Sequence, residues 1–344
     1  MSVTRRQVVL GSAATLSAVA LGLRSGARAQ TPTSTLKISH QFPGGSLTEG
    51  DFRDRLCRRF AADVEKQTKG ALKFEVYPNS SLMKTIPQFA ALRKGALDLS
   101  LYPLSYAGGE VAETNIGLMP GLVTNYEQAY SWKNAEVGKM LAQVMAEKGI
   151  IIVSWIWQAG GVACRSKPLV QPEDAKGMKV RGGSREMDMI LKHAGASVLT
   201  LPSNEIYAAM QTGAMDAGMT SSTSLISFRL EEVSKALTTG RGRAYWFMFE
   251  PLLMSKPIFD ALPKDQQSVI MTAGAEQEKF ALDSAKADDR AVADVYAKAG
   301  AKVYDLDEAT VKKWQAIARE TAWKDYGDKS ESCAKLLAAA IKTL

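Results

Sequence analysis

The chain is short of the residues that most catalytic machineries need. Its 344 residues include only two histidines, His40 and His193, and three cysteines, Cys57, Cys164 and Cys333. So few histidines leave a zinc enzyme or a serine–histidine hydrolase little to work with, and the scattered cysteines lack metal-ligand spacing. No cofactor and no metal are expected. Beyond the N-terminus, no segment approaches the ~20 consecutive apolar residues of a spanning helix. An excess of one charge is missing as well. The 43 basic and 36 acidic residues leave +7, and Arg5, Arg6, Arg24 and Arg28 fall in an N-terminal stretch that holds no acid. The remainder is close to balance, which argues against nucleic acid as a partner.

Catalytic motifs are equally sparse. There is no G-x-S-x-G elbow, H-E-x-x-H, P-loop or C-x-x-C. "SLMK", residues 81–84, has the S-x-x-K spacing of penicillin-recognising acyl enzymes, but neither S-D-N nor K-T-G follows it. "GRGRAYW", residues 240–246, lacks the strand and the G-x-G-x-x-G context of a dinucleotide site. The acids are scattered and nothing marks a pair. Residue count alone leaves a secreted two-carboxylate hydrolase open.

What the sequence does carry begins with an export signal over residues 1–29. "TRRQVVLGSAATLSAVALGL" joins paired arginines to a mild apolar run, and "ARAQ" places small Ala27 and Ala29 around Arg28. Cleavage is predicted after Ala29; a membrane anchor is the competing reading, but the run is short and weakly apolar. "TRRQVV" resembles the twin-arginine class of signals, which implies a bacterial-type envelope and a soluble protein outside the cytoplasm. The odd cysteine count then reads as buried or partly buried thiols.

Along the mature chain, helical and apolar segments alternate. "TLKISHQFP" reads as a strand, and "LTEGDFRDRLCRRFAADVEKQTKG" as a helix with Phe52, Leu56, Phe60 and Val64 at i, i+4 spacing. "ALKFEVYP", "LDLSLYP" and the near-continuous apolar "IIIVSWIW" read as further strands, and the pattern restarts beyond residue 158 with "GMKVR", "SVLTLP", "AMDAGMTS" and "RAYWFMFEPLLMS". This is an α/β fold with largely parallel sheets, in two units with a cleft between them. Residues 263–300 can form one very long helix, weakly interrupted at Gly274, which is too long for one small domain and is expected to run along both.

A cleft between α/β lobes suits a small anion, and "GMKVRGGSREMD", residues 177–188, supplies the chemistry. Arg181 ends a short strand, at the edge where open α/β sheets present ligands. The following glycines allow close backbone approach, and Ser184 is a helix N-cap candidate. An arginine fork matches a carboxylate bidentately. The same pattern fits an ordinary ion pair with a protein carboxylate such as Glu205.

The segment "EDAKGMKVRGGSREMDMILKHAGASVLTLPSNEIYAAMQTGAMDAGMTS" resembles the most characteristic region of the DctP-type solute-binding proteins of TRAP transporters. Lys176, Gly177, Lys179, Arg181, Gly195, Ala196, Glu205, Tyr207, Ala209, Gln211, Thr212, Gly213 and Asp216 match that pattern. "LKISHQFP", "LRKGALDLSLYP" and "FDALPKDQQSVI" extend the likeness over nearly the whole mature chain. The resemblance implies a bilobal periplasmic-binding-protein-like fold: two α/β domains joined by hinge strands and braced by a long helix. Lobe I would comprise residues 30–158 and about 247–285, and lobe II residues 159–246 and about 286–344. It also implies an exported, monomeric receptor, not an enzyme, that captures an organic acid by lobe closure and delivers it to TRAP membrane permease subunits. A sensor-partner protein using the same fold is a third reading.

Arg181 stands where the family pairs an arginine with the substrate carboxylate. Members of the sialic-acid type carry a second arginine twenty residues earlier; Gly161 occupies that place here, and nearby Arg165 does not inherit the role. Where the family has a ligand-touching asparagine, this chain has Thr220, followed by Ser221. Further candidates for the pocket are His40 and Gln41 after the first strand, Tyr102 and Ser105 after "LDLSL", Ser184, Trp157 and Trp246. For both tryptophans, core or hinge packing competes with a role as a ligand wall. Met187, Met189, Met210, Met215 and Met219 read as core filling, and Arg185 as either a second charge or a solvated face.

Overall fold

The computed structural model describes residues 34–344; the export-signal reading lies outside them. Twelve strands follow in chain order: β1 (Ser34–Ser39), β2 (Leu72–Tyr77), β3 (Leu99–Leu101), β4 (Ile150–Ser154), β5 (Trp157–Cys164), β6 (Lys179–Arg181), β7 (Ser197–Val198), β8 (Ala217–Ser221), β9 (Ala236–Thr239), β10 (Phe247–Phe249), β11 (Leu252–Ser255) and β12 (Lys302–Asp305). They form two sheets. The first has the order β2-β1-β3-β11-β4, and the second β12-β9-β5-β8-β6-β7, with β10 pairing β5.

Local chemistry explains the elements. In β1, Leu36 and Ile38 are buried while Lys37 between them is exposed, the alternation of a covered sheet face. The first helix runs Phe52–Gln67 with Phe52, Leu56, Phe60 and Val64 buried. It starts later than the sequence pattern suggests because Gly50 is left-handed at φ 95° and Asp51 caps the first turn, accepting from the Arg53 N–H. Cys57, Cys164 and Cys333 are buried free thiols.

The chain crosses between the sheets twice. "IIIVSWIW" is not one strand: β4 ends at Ser154, and β5 begins at Trp157 in the other sheet. "RAYWFMFEPLLMS" likewise divides into β10, paired with β5, and β11, paired with β3 and β4. Pro251 lies in that second break and has no N–H to give a ladder. The sheets are therefore less parallel than expected. β5 and β11, the strands that arrive directly from the other sheet, are the antiparallel members, while β1 with β2 and β3, β6 with β7 and β8, and β9 with β12 are parallel.

A third link is the helix Lys264–Lys298, which packs on helix Phe52–Gln67 and β4 of the first half and on helix Ser222–Ser227, β9 and β12 of the second. It is continuous, and Gly274 does not interrupt it. A Cβ at Gly274 would lie 2.3 Å from the Val153 carbonyl oxygen, so glycine there lets the helix lie directly on β4. The C-terminal helix Glu331–Ile341 returns to pack on helix Glu136–Glu147, which precedes β4. "SVLTLP" contributes only the two-residue β7. Among the described residues, no helix is long and apolar enough to cross a membrane.

Candidate functional site

β6 carries Arg181 alongside β8, with Arg181 opposite Gly218. The next two glycines clear space for the protein itself. A Cβ at Gly183, whose φ is +92°, would lie 2.7 Å from Arg181 Nη1, and one at Gly182 would lie 2.6 Å from Asp188 Oδ1. Ser184 caps the helix Arg185–His193 by accepting from the Met187 N–H at 3.0 Å. The arginine, the glycines and the capped helix thus form one unit that folds the guanidinium back over its own turn.

Arg181 is fully buried. Nε donates to the Leu201 carbonyl at 3.0 Å, Nη1 to the Met219 carbonyl at 2.6 Å and Nη2 to the Tyr106 hydroxyl at 2.6 Å. All three acceptors are neutral. Among the described residues no carboxylate stands within ion-pair distance, so the Glu205 pairing is not formed. A guanidinium has five N–H groups; after these bonds each η nitrogen retains one without a protein acceptor. Tyr106 comes from the first half of the molecule. Its hydroxyl also accepts from the Ser203 N–H at 3.0 Å, which leaves its own hydrogen without an acceptor among the described residues.

Several further contacts cross the same seam. Gln41 Nε2 donates to Ser203 Oγ at 3.1 Å, Ser105 Oγ to the Gly183 carbonyl at 3.1 Å and Ser184 Oγ to the Leu118 carbonyl at 3.2 Å. Beside them opens a cavity of about 540 Å³, lined from both halves by Ser105, Tyr106, Gly183, Ser184, Asp188 and Leu201. Burial pushes the Asp188 carboxyl up to about 6, against the pull of the Arg181 charge, the Gly182 N–H bond and Lys192.

A second arginine, Arg53, is equally buried. Arg53 binds Asp51 through Nε at 2.9 Å and Nη2 at 2.7 Å, while Nη1 reaches Glu250 at 3.0 Å and Ser224 Oγ at 3.0 Å. Its guanidinium stacks 3.6 Å above the Phe42 ring. Burial opposes the charge on Asp51, but Arg53 outweighs it and holds that carboxyl below its ordinary value. Glu250 is pushed up by burial, against the attraction of Arg53. Gln158 donates to Glu250 from the first crossing. Gln158 Oε1 and Thr220 Oγ1 are buried without a partner in the described structure, the kind of polar atom that calls for an explanation.

The sequence candidates divide accordingly. Arg181, Ser184, Ser105, Gln41, Thr220 and Ser221 meet along the seam. Trp246 lies over Gly160 beside Thr220 and Ser221; a Cβ at Gly160 would meet its Cη2 at 2.2 Å. Tyr102 donates to the Ile86 carbonyl at 3.3 Å and backs Tyr106 edge-on at 6.0 Å. His40 pairs with Asp54 at 3.1 Å. Trp157 does not reach the cavity: it stacks on Phe249 at 4.7 Å and meets Trp132 edge-on, packing at the crossing. Of the methionines, Met189 lines the cavity, and Met187, Met210, Met215 and Met219 are buried in the core. Arg185 lines the cavity but is paired with Asp325. A side chain at Gly161 would meet the Thr238 carbonyl at 2.3 Å, so no second arginine fits there. Tyr106, Ser203, Arg53, Gln158, Glu250 and Asp188 escaped the sequence reading. The nearest signal was the "YAGG" turn after Ser105.

Two α/β halves joined by two crossing strands and a spanning helix, with a buried cation at the seam, make up a bilobal solute-binding receptor. The chain belongs to the DctP family, bacterial extracellular solute-binding protein family 7, whose sequence profile matches residues 46–329; it is a solute receptor of the TRAP transporter type. A solute-binding protein of Albidiferax ferrireducens is 75% identical over 312 residues, covering 91% of this chain and 92% of that protein. A TRAP periplasmic solute-binding protein of Rhodoferax ferrireducens, solved with bound malonate, superposes with a TM-score of 0.89 at 75% identity, covering 90% of this chain and 98% of that one. The C4-dicarboxylate-binding periplasmic protein DctP of Rhodobacter capsulatus is 26% identical over 318 residues, 91% of this chain and 92% of that protein.

Proposed function

We propose that this receptor holds its organic acid through a carboxylate on Arg181, with Tyr106 supplying a further hydrogen bond from the opposite lobe. The observation that carries this reading is the buried Arg181 guanidinium, which has neutral partners only and one unused N–H on each η nitrogen. A carboxylate accepts two such donors and neutralises the charge. The bound malonate of the Rhodoferax ferrireducens protein supports an acid of this class. Thr220, Ser221, Gln41, Ser203 and Ser184 complete the surroundings of the ligand, and the lobes hinge at residues 155–156 and 250–251.

The chain acts in the periplasm as a monomer after loss of residues 1–29, and hands its ligand unchanged to the membrane permease subunits of a TRAP transporter. It is a receptor, without catalysis. Calorimetry with malonate tests the central contact. Arg181→Ala is expected to weaken binding by at least 100-fold, and Arg181→Lys to recover little of it, since an ammonium cannot reproduce the planar fork. Binding by the alanine variant equal to wild type would remove Arg181 from the site.

A further inference from the structure

Glu250 lies in the second crossing, directly before Pro251, and is buried. It accepts from Arg53 Nη1 at 3.0 Å and from the Gln158 amide Nε2. Arg53 is already held by Asp51 through Nε and Nη2, so the cluster buries two carboxylates on one guanidinium. A surplus negative charge in a dry site is costly unless a further cation offsets it. Arg181 does so from a distance. Both guanidiniums bond to one end of β8: Arg181 Nη1 to the Met219 carbonyl at 2.6 Å, and Arg53 Nη1, the nitrogen that also holds Glu250, to Ser221 Oγ at 3.3 Å. Two strand residues span about 7 Å. A unit charge ~10 Å away, at an effective dielectric of ~20, changes the proton affinity of a carboxyl on the order of 10-fold.

The charges around Glu250 act in both directions. Burial raises its carboxyl; Arg53 and Arg181 pull it back down, and Asp51 pushes it up further. Asp288 on the long helix feels the Arg53 and Asp51 charges in turn. Gln158 from β5, Ser221 from β8 and Ser224 from the helix after it are neutral. A carboxylate held on Arg181 cancels that arginine's pull and leaves the Glu250 charge in surplus. Gln158 can serve either state of Glu250. Its amide now donates to the carboxylate, while Oε1 is buried without a partner in the described structure. Turned over, the same amide accepts from a protonated carboxyl. We infer that Glu250 takes up a proton when the receptor holds an acid on Arg181, so that anion and proton bind together. The proton comes from solvent and ends on Glu250 Oε2, facing the turned amide. Asp188 also feels Arg181, but it faces the open cavity, where water screens the change.

This inference rests on the carboxylate reading of Arg181, and the test separates the two. Malonate is titrated calorimetrically into the protein at about pH 7, where free malonate carries both charges, in buffers of low and high ionisation enthalpy; the dependence of the heat on the buffer counts the protons taken up. Wild type is expected to take up between about a half and one proton per malonate, with an affinity that falls as the pH rises, by up to about 10-fold per unit. Glu250→Gln is expected to bind malonate with an uptake close to zero and a flat pH profile, and Asp188→Asn to keep the wild-type count. No uptake in wild type, uptake that survives in Glu250→Gln, or uptake lost in Asp188→Asn overturns the inference. Should Glu250→Gln fail to bind, infrared difference spectra of Asp188→Asn with isotope-labelled malonate decide: a new protonated-carboxyl band of the protein supports Glu250, and its absence refutes it. Loss of binding in Arg181→Ala beside a zero count in wild type refutes this inference alone. Unchanged binding in Arg181→Ala refutes the carboxylate reading, and no malonate binding to wild type overturns both.

Discussion

Asp188 sits on the first turn of the helix that Ser184 caps, facing the same cavity as Tyr106 and close enough to Arg181 to feel its charge. A carboxyl in water titrates near about 3.9. Burial pushes this one up to about 6. The folded state therefore holds the proton more tightly than the unfolded chain does. The resulting stability is present at low pH and is lost as the pH rises from the unfolded value through about 6. Asp188→Asn removes the ionisation and is expected to flatten the fall in melting temperature between pH 4 and 7, gaining on the order of 2 kcal/mol over wild type at the upper end. An unchanged pH slope in thermal melts would mean that Asp188 is not the group responsible. At this scale the sequence was legible where chemistry is local. Arg181, its glycines and the Ser184 cap are consecutive. Tyr106 meets Arg181 across 75 positions and Arg53 meets Glu250 across 197, and no spacing rule reaches so far.

Elements were read best where their faces differ. The helix Phe52–Gln67 and strand β1 each bury one face, and both stood out from periodicity. The two crossings were hidden because "IIIVSWIW" is buried nearly throughout: a strand that stays in one sheet and a chain that leaves for another have the same apolar run. Gly274 was legible as a glycine but not for its reason. Helix propensity makes it a weak point that alanine should repair by about 1 kcal/mol. Packing reverses the sign. The Cβ of alanine would press within 2.3 Å of the Val153 carbonyl oxygen and 2.5 Å of Val153 Cγ1. Overpacking of this kind typically costs about 1–3 kcal/mol. Gly274→Ala is thus expected to lower the urea midpoint by a net of up to about 2 kcal/mol equivalent, with the helical circular-dichroism signal retained. A stabilised variant would show that the long helix lies more loosely on β4 than this contact implies.

Across the whole molecule, the two arginines answer opening in different ways. Arg53 keeps Asp51 on its own helix cap and Glu250 on the second crossing, so its charge stays compensated whether or not the lobes meet; among the described residues, Ser221 and Ser224 accept from it from the second lobe. Among the described residues Arg181 has no such partner, and when the seam closes it exchanges water for neutral groups. Closure without an anion buries an uncompensated charge, which disfavours it, and an incoming carboxylate removes that penalty. With the proposed carboxylate contact, binding and closure are coupled through Arg181, whereas the Arg53–Ser224 contact adds to closure without touching the ligand. Ser224→Ala removes one of those contacts and leaves the Arg53 ion pairs in place. It is expected to weaken malonate, succinate and L-malate alike, by about 3- to 10-fold, the equivalent of one hydrogen bond of 0.5–1.5 kcal/mol. The variant should still contract on malonate addition in small-angle scattering, and Arg181→Ala should not. Unequal losses among the three acids would put Ser224 in contact with the ligand and end its assignment to closure alone.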